Sequence, residues 1–272
     1  MASTTIGRAD VSRRNNVRVS GNSNGRPIVF AHGFGCSQEV WRDVLPHFEE
    51  RFKVVAFDHV GAGGSDVDAY DRGKYDSLSG YADDLLEILE TENLRDVVYV
   101  GHSVSSMIGV VAANQDPSRF GSLVLVGPSP RYVNDGDYLG GFEQEDIDDL
   151  LDSLDANYLG WSASMAPVIM GNAERPELGE TLTTSFCRID PAIAGQFARV
   201  TFLSDNRRDL GAVTVPTLVL QCTDDVIAPL AVGRFVHEHI PGSRFHLLAA
   251  TGHVPNISGP DELAEAILDY LR

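Results

Sequence analysis

Residues 97–109 read Val97-Val98-Tyr99-Val100-Gly101-His102-Ser103-Val104-Ser105-Ser106-Met107-Ile108-Gly109, and this stretch decides the fold. Its apolar beginning is typical of a buried parallel strand, which we expect to end at Gly101. A helix is expected to begin at Ser105, which leaves Ser103 in the sharp turn between the two elements. Such a turn holds the serine in a strained backbone conformation and exposes its hydroxyl above the sheet. The stretch therefore makes Ser103 a candidate nucleophile.

The small residues around Ser103 support this turn but depart from its usual form. Strand and helix nearly collide there, so small side chains are needed, and Gly101 and Ser105 provide them. The usual pattern is G-x-S-x-G, with glycine where this chain has Ser105. The alternative interpretation of Ser103 is an ordinary helix N-cap, a role in which serine is common. A basic partner elsewhere in the chain is needed to favour the nucleophile.

Apolar, β-branched runs like the one before Gly101 recur along the chain. They are Ile28–Ala31, Val54–Phe57, Val97–Val100, Leu123–Val126, Thr217–Gln221 and Phe245–Leu248. Because these runs are almost continuously apolar, they indicate a parallel sheet that helices cover on both faces. The segments between the first four are long enough for crossover helices, and Asp261–Leu271 has apolar residues at helical spacing. The sequence predicts an α/β fold with a doubly wound, mostly parallel sheet.

The segment 128–210 has a different pattern, with helical stretches and no strand-like run. One amphipathic helix is expected there, with an apolar stripe formed by Phe142, Ile147, Leu150, Leu151 and Leu154. Further helical stretches are Ala163–Met170, Leu178–Phe186 and Ile193–Leu203. We therefore expect an all-helical insertion at 128–210 between the two parts of one core, residues 1–127 and 211–272.

The composition limits the kinds of partner. The 272 residues carry a formal net charge of −18, from 39 acidic and 21 basic side chains. A field of this sign repels phosphate backbones and anionic lipid headgroups, so neither nucleic acid nor membrane is expected. No apolar run approaches the roughly 20 residues that span a bilayer, and the first twenty residues lack the apolar stretch of a secretory signal. Cys36, Cys187 and Cys222 are too widely spaced for a zinc site or a disulfide framework, and we expect reduced thiols in a cytoplasmic protein.

A serine hydroxyl needs a base to take its proton, and His253 is the candidate. It lies in Thr251-Gly252-His253-Val254-Pro255, after the last predicted strand and before the C-terminal helix. In a fold of this kind, the order along the chain is nucleophile, acid, base. The acid is therefore expected in the loop after the strand Thr217–Gln221, where Asp224 and Asp225 are both present.

A fourth segment, His32-Gly33-Phe34-Gly35, follows the predicted strand Ile28–Ala31. A turn of this composition presents a backbone N–H toward the nucleophile, and the N–H of Val104 supplies a second donor. Together they would form an oxyanion hole, in which one donor is typically worth ~3 kcal/mol of transition-state stabilisation. His32 itself is interpreted as a structural hydrogen-bonding residue. The alternative for the glycine pair is a plain tight turn.

The four segments together resemble one branch of the α/β-hydrolase superfamily. The motifs that carry the resemblance are His32-Gly-Phe-Gly-Cys36, Gly101-His-Ser-Val-Ser-Ser-Met-Ile-Gly109, Gly127-Pro-Ser-Pro130, Tyr138-Leu-Gly-Gly-Phe142 and Gly252-His253. The branch holds bacterial stress-regulator hydrolases of the RsbQ type and the plant karrikin and strigolactone receptors. Such relatives share the departure at Ser105, and the resemblance extends over nearly the whole chain.

The resemblance implies a helical lid over a deep, mainly apolar pocket for a small hydrophobic ligand. It implies Ser103, Asp225 and His253 as a catalytic triad, since the acid in such proteins shortly precedes the proline of its loop. Asp224 is then a turn residue that caps neighbouring backbone N–H groups. The oxyanion hole would be formed by the N–H groups of Phe34 and Val104. Pocket-lining residues carried over are Phe34, Val104, Phe142, Trp161 and Phe202, the alternative for Phe142 and Trp161 being ordinary packing within the lid.

These features predict a serine hydrolase that acts on a small hydrophobic ester or lactone, with neither metal nor organic cofactor. The alternative from another class is a ligand sensor, in which slow hydrolysis or binding in the same pocket controls a signalling protein partner. A carbon–carbon hydrolase or a cofactor-free haloperoxidase would keep the fold and change the bond cleaved. A dehalogenase or an epoxide hydrolase is disfavoured, because those enzymes need aspartate in place of Ser103.

Overall fold

The computed structural model describes residues 8–272, and a seven-stranded sheet is their central element. The strands are β1 (Arg18–Gly21), β2 (Arg26–Ala31), β3 (Phe52–Phe57), β4 (Val97–His102), β5 (Phe120–Val126), β6 (Thr217–Thr223) and β7 (Arg244–Thr251). Their order in the sheet is β1-β3-β2-β4-β5-β6-β7. All neighbouring pairs from β3 across to β7 are parallel, and only β1 runs antiparallel to its neighbour β3. The predicted α/β fold with a mostly parallel sheet is confirmed.

The six predicted strands are present, and β1 is an addition. The inner strands β2 to β6 are buried over most of their length, as their apolar runs predict. All four residues of β1 are exposed, so this strand carries no apolar pattern that a sequence analysis can recognise. It adds an antiparallel edge to a sheet that is otherwise parallel, a common arrangement in large sheets.

Within the described residues, six α-helices lie outside segment 128–210, and a seventh lies at the end of that segment. They are α1 (Arg8–Arg14), α2 (Leu78–Thr91), α3 (Val104–Gln115), α8 (Arg207–Leu210), α9 (Leu230–His239), α10 (Pro255–Ser258) and α11 (Pro260–Tyr270). Helix α11 buries Leu263, Ala264 and Ile267, the apolar face that predicted it. Each fully buried leucine or isoleucine of this kind stabilises the fold by ~1.5–3 kcal/mol.

Besides α8, four α-helices lie between β5 and β6: α4 (Gln144–Ala156), α5 (Tyr158–Met170), α6 (Pro176–Phe186) and α7 (Pro191–Phe202). Within the described part of the chain, the only β pairing in this stretch consists of two isolated bridges. Helix α4 begins two residues later than expected, because Glu143 and Asp146 form a capping box that fixes its start. Phe142 therefore precedes the helix and does not belong to its apolar stripe. No helix of residues 8–272 has the length and apolar character to cross a bilayer.

Candidate active site

Ser103 is the single residue between the end of β4 and the start of α3. Its backbone has φ 57° and ψ −124°, a conformation that side-chain-bearing residues rarely adopt. The surrounding structure must hold this strain, which costs of the order of 1–3 kcal/mol. The N–H of Ser103 donates to the carbonyl oxygen of Val126 at 2.8 Å, and the residue is 4% exposed. The predicted sharp turn is present, with one residue in it instead of the expected three.

Small residues permit this turn. A Cβ on Gly101 would lie 2.5 Å from the carbonyl oxygen of Ser105, so no larger residue fits there. Ser105 stands where the usual pattern has glycine, and its side chain makes contacts that glycine could not. The hydroxyl donates to the carbonyl oxygen of His32 at 2.5 Å and contacts Nε2 of His59 at 2.7 Å. The side chain thus ties the start of α3 to the loops after β2 and β3. The departure from the usual motif has a structural use in this chain.

His253 lies beside Ser103 in the loop after β7. Its Nε2 is 2.8 Å from Oγ of Ser103, and its Nδ1 is 2.8 Å from Oδ2 of Asp225. A carboxylate accepts from Nδ1–H, so Nε2 carries the lone pair that faces the serine hydroxyl. All three residues are about 95% buried. The structure thus brings Ser103, His253 and Asp225 together in the order that general-base activation requires.

Asp225 is held by its own loop as well as by the histidine. Its Oδ1 accepts hydrogen bonds from the N–H groups of Ile227 and Ala228, each at 2.9 Å. Burial alone would raise the pKa of Asp225, but His253 and the two N–H groups outweigh burial and hold that pKa below its usual value. The carboxylate is therefore ionised at neutral pH.

Asp224 has a different place. It is exposed and adopts a left-handed conformation with φ 51°, which aspartate tolerates better than most residues. The N–H groups of this loop are capped by Asp225, so the capping role expected for Asp224 is wrong. Asp224 forms the turn through its backbone, and this turn directs Asp225 inward.

Two backbone N–H groups adjoin the serine. Val104 is the first residue of α3, so its N–H has no acceptor within the helix. The N–H of Phe34, in the loop after β2, meets no backbone acceptor among residues 8–272. A Cβ on the neighbouring Gly33 would lie 3.1 Å from Cβ of Ser103, which shows how closely this loop passes the serine. The two donors predicted from the sequence are thus on the loop that passes close to Ser103 and on the helix that begins directly after it.

A cavity of about 30 Å³ lies over Ser103. It is lined by Phe34, Cys36, His102, Ser103, Tyr132, Ile169, Leu182, Phe186, Thr201, Phe202, Ile227, His253 and Val254. A buried water needs ~10–15 Å³ of such volume, so the cavity has room for about two waters. Of the five predicted lining residues, Phe34 and Phe202 are on this wall.

The other three predicted lining residues are not on the wall. Phe142 borders a separate outer groove with Asp146, Leu150 and Met165, because it precedes α4 and turns away from the serine. Trp161 also borders that groove, and its ring stacks on Phe186 with centroids 5.8 Å apart, one layer behind the cavity. Val104 is buried and contributes its backbone. Assignment of Phe142 and Trp161 to ordinary packing, the alternative given above, fits this geometry.

Several lining residues were missed from the sequence. Leu182 and Phe186 lie four residues apart on α6, and with Leu178 they form an apolar stripe that marks the inward face of this helix. Tyr132 and Thr201 are buried, and neither hydroxyl makes a well-formed hydrogen bond among the described residues, although that of Tyr132 lies near the hydroxyl of Ser103. Burial raises the pKa of Tyr132, an effect that the nearby Ser103 hydroxyl offsets only in part, so the phenol stays protonated and able to donate. These two hydroxyls are the polar groups that an otherwise apolar wall offers to a ligand.

His102 supports the site from below. Its Nε2–H donates to the carbonyl oxygen of His253 at 2.7 Å. Complete burial and the neighbouring His253 lower the pKa of His102 to about 3, so the ring is neutral. Within residues 8–272, no three His, Cys, Asp or Glu side chains are grouped as a metal site would require.

Comparison with known proteins identifies the family of the chain. The model of the alpha/beta hydrolase fold family matches residues 26–260. The chain is 40% identical to a probable esterase of Oryza sativa subsp. japonica, over 96% of this chain and 97% of that protein. It is 38% identical to "Karrikin insensitive 2 receptor CA" of Petunia hybrida, over 96% and 97% respectively.

One solved structure is similar to this chain in both fold and sequence. A hydrolase from Oleispira antarctica superposes with a TM-score of 0.94 at 38% identity, covering 97% of each chain. Fold, family model and relatives agree, and they confirm the resemblance to α/β-hydrolases and to their plant receptor relatives. The chain belongs to the alpha/beta hydrolase fold family.

Proposed function

We propose that this protein is a serine hydrolase of small, largely apolar esters or lactones. Ser103 is the nucleophile, His253 the general base and Asp225 the residue that orients the base. The observation that carries the proposal is the pair of 2.8 Å contacts made by the two ring nitrogens of His253. A hydroxyl on one side of an imidazole and an ionised carboxylate on the other is the arrangement that activates serine.

Acylation uses each of these atoms. Nε2 of His253 takes the proton from Oγ of Ser103 as Oγ attacks the carbonyl carbon. The carbonyl oxygen becomes negative and is stabilised by the N–H groups of Phe34 and Val104. The protonated imidazole then gives its proton to the leaving alcohol, and the acyl group stays on Oγ. Asp225 stabilises the imidazolium in between and keeps the proton on Nδ1.

Deacylation repeats the sequence with water. Nε2 of His253 removes a proton from a water molecule, which attacks the acyl carbon through a second oxyanion held by the same two donors. The bond to Oγ breaks, Ser103 regains its proton from His253, and the carboxylic acid leaves.

The wall of the cavity supports the substrate class. Phe34, Phe186 and Phe202 offer apolar contact to a hydrophobic group. The hydroxyls of Tyr132 and Thr201 are free to hydrogen-bond a second oxygen of the ligand, as in an ester or a lactone ring. In this proposal, residues 128–210 act as a lid, and residues 1–127 and 211–272 form the core that carries the chemistry.

The cellular setting is part of the proposal. The free thiols Cys36, Cys187 and Cys222 support a reducing, cytoplasmic location.

The esterase and receptor names of the two plant relatives support a small-molecule ligand.

A second candidate function is a ligand sensor. Its support is the narrowness of the cavity, which forces the helices above it to move when a ligand enters, and the receptor name of the petunia relative. In this version the same triad hydrolyses slowly, and the moved helices contact a signalling protein. Multiple rapid turnovers of small esters favour the enzyme; a single turnover that leaves a lasting change in thermal stability favours the sensor.

The test uses p-nitrophenyl acetate and two serine variants. Ser103→Ala removes the nucleophile, and we expect it to lower kcat by at least about 10⁴-fold while the melting temperature stays near that of the wild type. Intact-protein mass spectrometry should detect an acetyl adduct on the wild type and none on Ser103→Ala.

Ser106→Ala is the matched control. This buried serine lies in α3, three residues after Ser103; it donates to the carbonyl of Gly101 and makes no hydrogen bond with His253. It should retain kcat within about threefold, since no reacting atom changes. Equal turnover by wild type and Ser103→Ala would refute the proposed nucleophile.

A further inference from the structure

The end of helix α5 is hydrogen-bonded to the loop that carries His253. The N–H of His253 donates to the carbonyl oxygen of Ile169 at 2.9 Å. The side-chain amide of Asn172 donates to the carbonyl of Thr251 at 3.1 Å and to that of Met170 at 2.9 Å. One asparagine thus joins the last turn of α5 to the residue two positions before His253.

Asn172 is fixed in this position by its backbone and by a second partner. Its φ is +56°, a left-handed conformation that asparagine tolerates better than other non-glycine residues. Its Oδ1 accepts from Nη2 of Arg175 at 2.6 Å, and the same nitrogen donates to the carbonyl of Ser258 at 3.0 Å. Because Oδ1 faces a donor and Nδ2 faces two acceptors, the amide has one orientation.

The end of α5 and the histidine loop are also in backbone contact. A Cβ on Gly252 would lie 2.0 Å from the carbonyl oxygen of Met170, and Gly252 has φ +80°. A Cβ on Gly171 would lie 3.4 Å from Cα of Gly252. With no side chain between them, any displacement of the end of α5 is passed directly to Gly252, and so to the next residue, His253.

The two peptide groups of His253 are held by different parts of the chain. The insertion holds its N–H through Ile169, and the core holds its carbonyl oxygen through Nε2–H of His102 at 2.7 Å. Reacting groups must keep their geometry within about 0.5 Å and 10–20° to work well. Both anchors are therefore needed to keep the imidazole between Ser103 and Asp225.

We infer that Asn172 is a positioning residue for His253 and that the insertion orients the catalytic base as well as enclosing the cavity. The inference rests on the proposed role of His253 as the base. It assigns a catalytic consequence to a residue that touches neither the cavity over Ser103 nor the three reacting side chains.

Two substitutions at Asn172 test the inference. Asn172→Gly removes the amide and keeps the left-handed backbone free of strain. Asn172→Asp keeps the shape of the side chain but replaces the donating amide with a carboxylate, which repels the carbonyls of Thr251 and Met170. Asn157→Ala is the matched control, because Asn157 caps the other end of α5 by accepting from Gly160 N–H and is far along the chain from the histidine loop.

The first measurement needs no substrate. The Nδ1 proton of His253 is hydrogen-bonded to Asp225, and its resonance is followed in the far-downfield region of the ¹H NMR spectrum. We expect this signal to broaden or disappear in Asn172→Gly and Asn172→Asp and to stay sharp in Asn157→Ala. Kinetics with p-nitrophenyl acetate should then give kcat roughly tenfold lower in both Asn172 variants, with KM within twofold. Asn157→Ala should lose as much melting temperature as Asn172→Gly and keep wild-type kcat.

The outcomes separate the two proposals. A sharp Nδ1 signal in both Asn172 variants overturns the inference, as does an equal loss of kcat in Asn157→Ala. Failure of the proposed function gives a different result: wild type and Ser103→Ala would then hydrolyse the ester equally, whatever the Asn172 variants do. The NMR signal still decides the inference in that case.

Discussion

The core and the insertion reach the same cavity with different chemistry. The core brings Ser103, Asp225 and His253, whose polar atoms are joined in one hydrogen-bonded series. The insertion brings rings and aliphatic groups, among them Phe186 and Phe202, which make van der Waals contact with Phe34 of the core at centroid distances of 5.9 and 6.0 Å. The polar series demands fixed directions, whereas the wall, which is apolar except for the hydroxyls of Tyr132 and Thr201, demands mainly a shape. Rate is therefore assigned mainly to the core and ligand selection mainly to the insertion.

The largest effect is expected in the core, where one substitution should remove most of the catalytic rate. Asp225→Asn keeps the size of the side chain but removes the charge that fixes the tautomer of His253. We expect kcat for p-nitrophenyl acetate to fall by about 10⁴-fold with KM nearly unchanged. Steady-state kinetics at a mildly alkaline pH measures both constants.

Asp224→Asn is the control for that experiment. Asparagine tolerates the left-handed backbone of Asp224 as well as aspartate does, so kcat should stay within about twofold. A large loss in Asp224→Asn with a small loss in Asp225→Asn would exchange the two assignments.

A second prediction concerns the stability of the core at low pH. Burial and the neighbouring His253 lower the pKa of His102 from 6.5 to about 3. Between these two values, the histidine is protonated in the unfolded chain and neutral in the folded protein. The unfolded state binds more protons throughout this window, so stability falls as pH decreases from about 6.5 toward 3. The contribution of one such group is about 1.4 kcal/mol per pH unit.

His102→Gln should remove that contribution. Urea unfolding at about pH 7, 5.5 and 4.5 should give a free energy of unfolding that declines less steeply in the variant, by somewhat less than 1 kcal/mol per pH unit from pH 7 to 5.5 and by about 1.4 kcal/mol per pH unit from pH 5.5 to 4.5. Parallel declines in wild type and variant would contradict the buried, neutral state of His102.

The smallest effect is expected in the insertion, where a substitution should change ligand selection. Phe202→Leu reduces the ring wall and enlarges the cavity, so we expect KM for p-nitrophenyl acetate to rise roughly fivefold, from the loss of ring contacts worth ~1 kcal/mol. The preference for the butyrate ester over the acetate ester should increase.

Phe142→Leu is the matched control, because Phe142 borders the outer groove and not the cavity. Its KM and chain-length preference should stay within twofold of the wild type. If Phe142→Leu changes chain-length preference as much as Phe202→Leu, the placement of these two rings relative to the bound ester is wrong.

Much of the core follows from the sequence, because local pattern and position agree there. Apolar runs fix the parallel strands, and the carboxyl ends of such strands meet at one edge, which collects Ser103, Asp225 and His253. Their order along the chain predicts a nucleophile, an acid and a base without any distance, but it leaves Asp224 and Asp225 both open, and only the family resemblance selects Asp225. The edge strand β1 cannot be predicted in this way, since four exposed residues leave no periodic signal.

The insertion is less predictable for a physical reason. Helical spacing tells which side of a helix is apolar, but in this region both the cavity and the layer behind it are apolar. Trp161 and Phe186 stack on each other, yet only Phe186 faces the serine. The choice between them depends on how α5 and α6 pack, and that packing is set by contacts distant in sequence. Phe142 was misplaced because a capping box begins α4 after it.

The small volume over Ser103 has a consequence for the second half of the reaction. Room for about two waters is room that an acyl group would fill, which leaves the bound ester without a nearby nucleophile. Hydrolysis of that intermediate then waits for a water molecule to enter beside the acyl group. A rapid first release of p-nitrophenol followed by a slow steady phase is the kinetic form that such crowding predicts, and the rate of the slow phase measures how readily water reaches the acyl group.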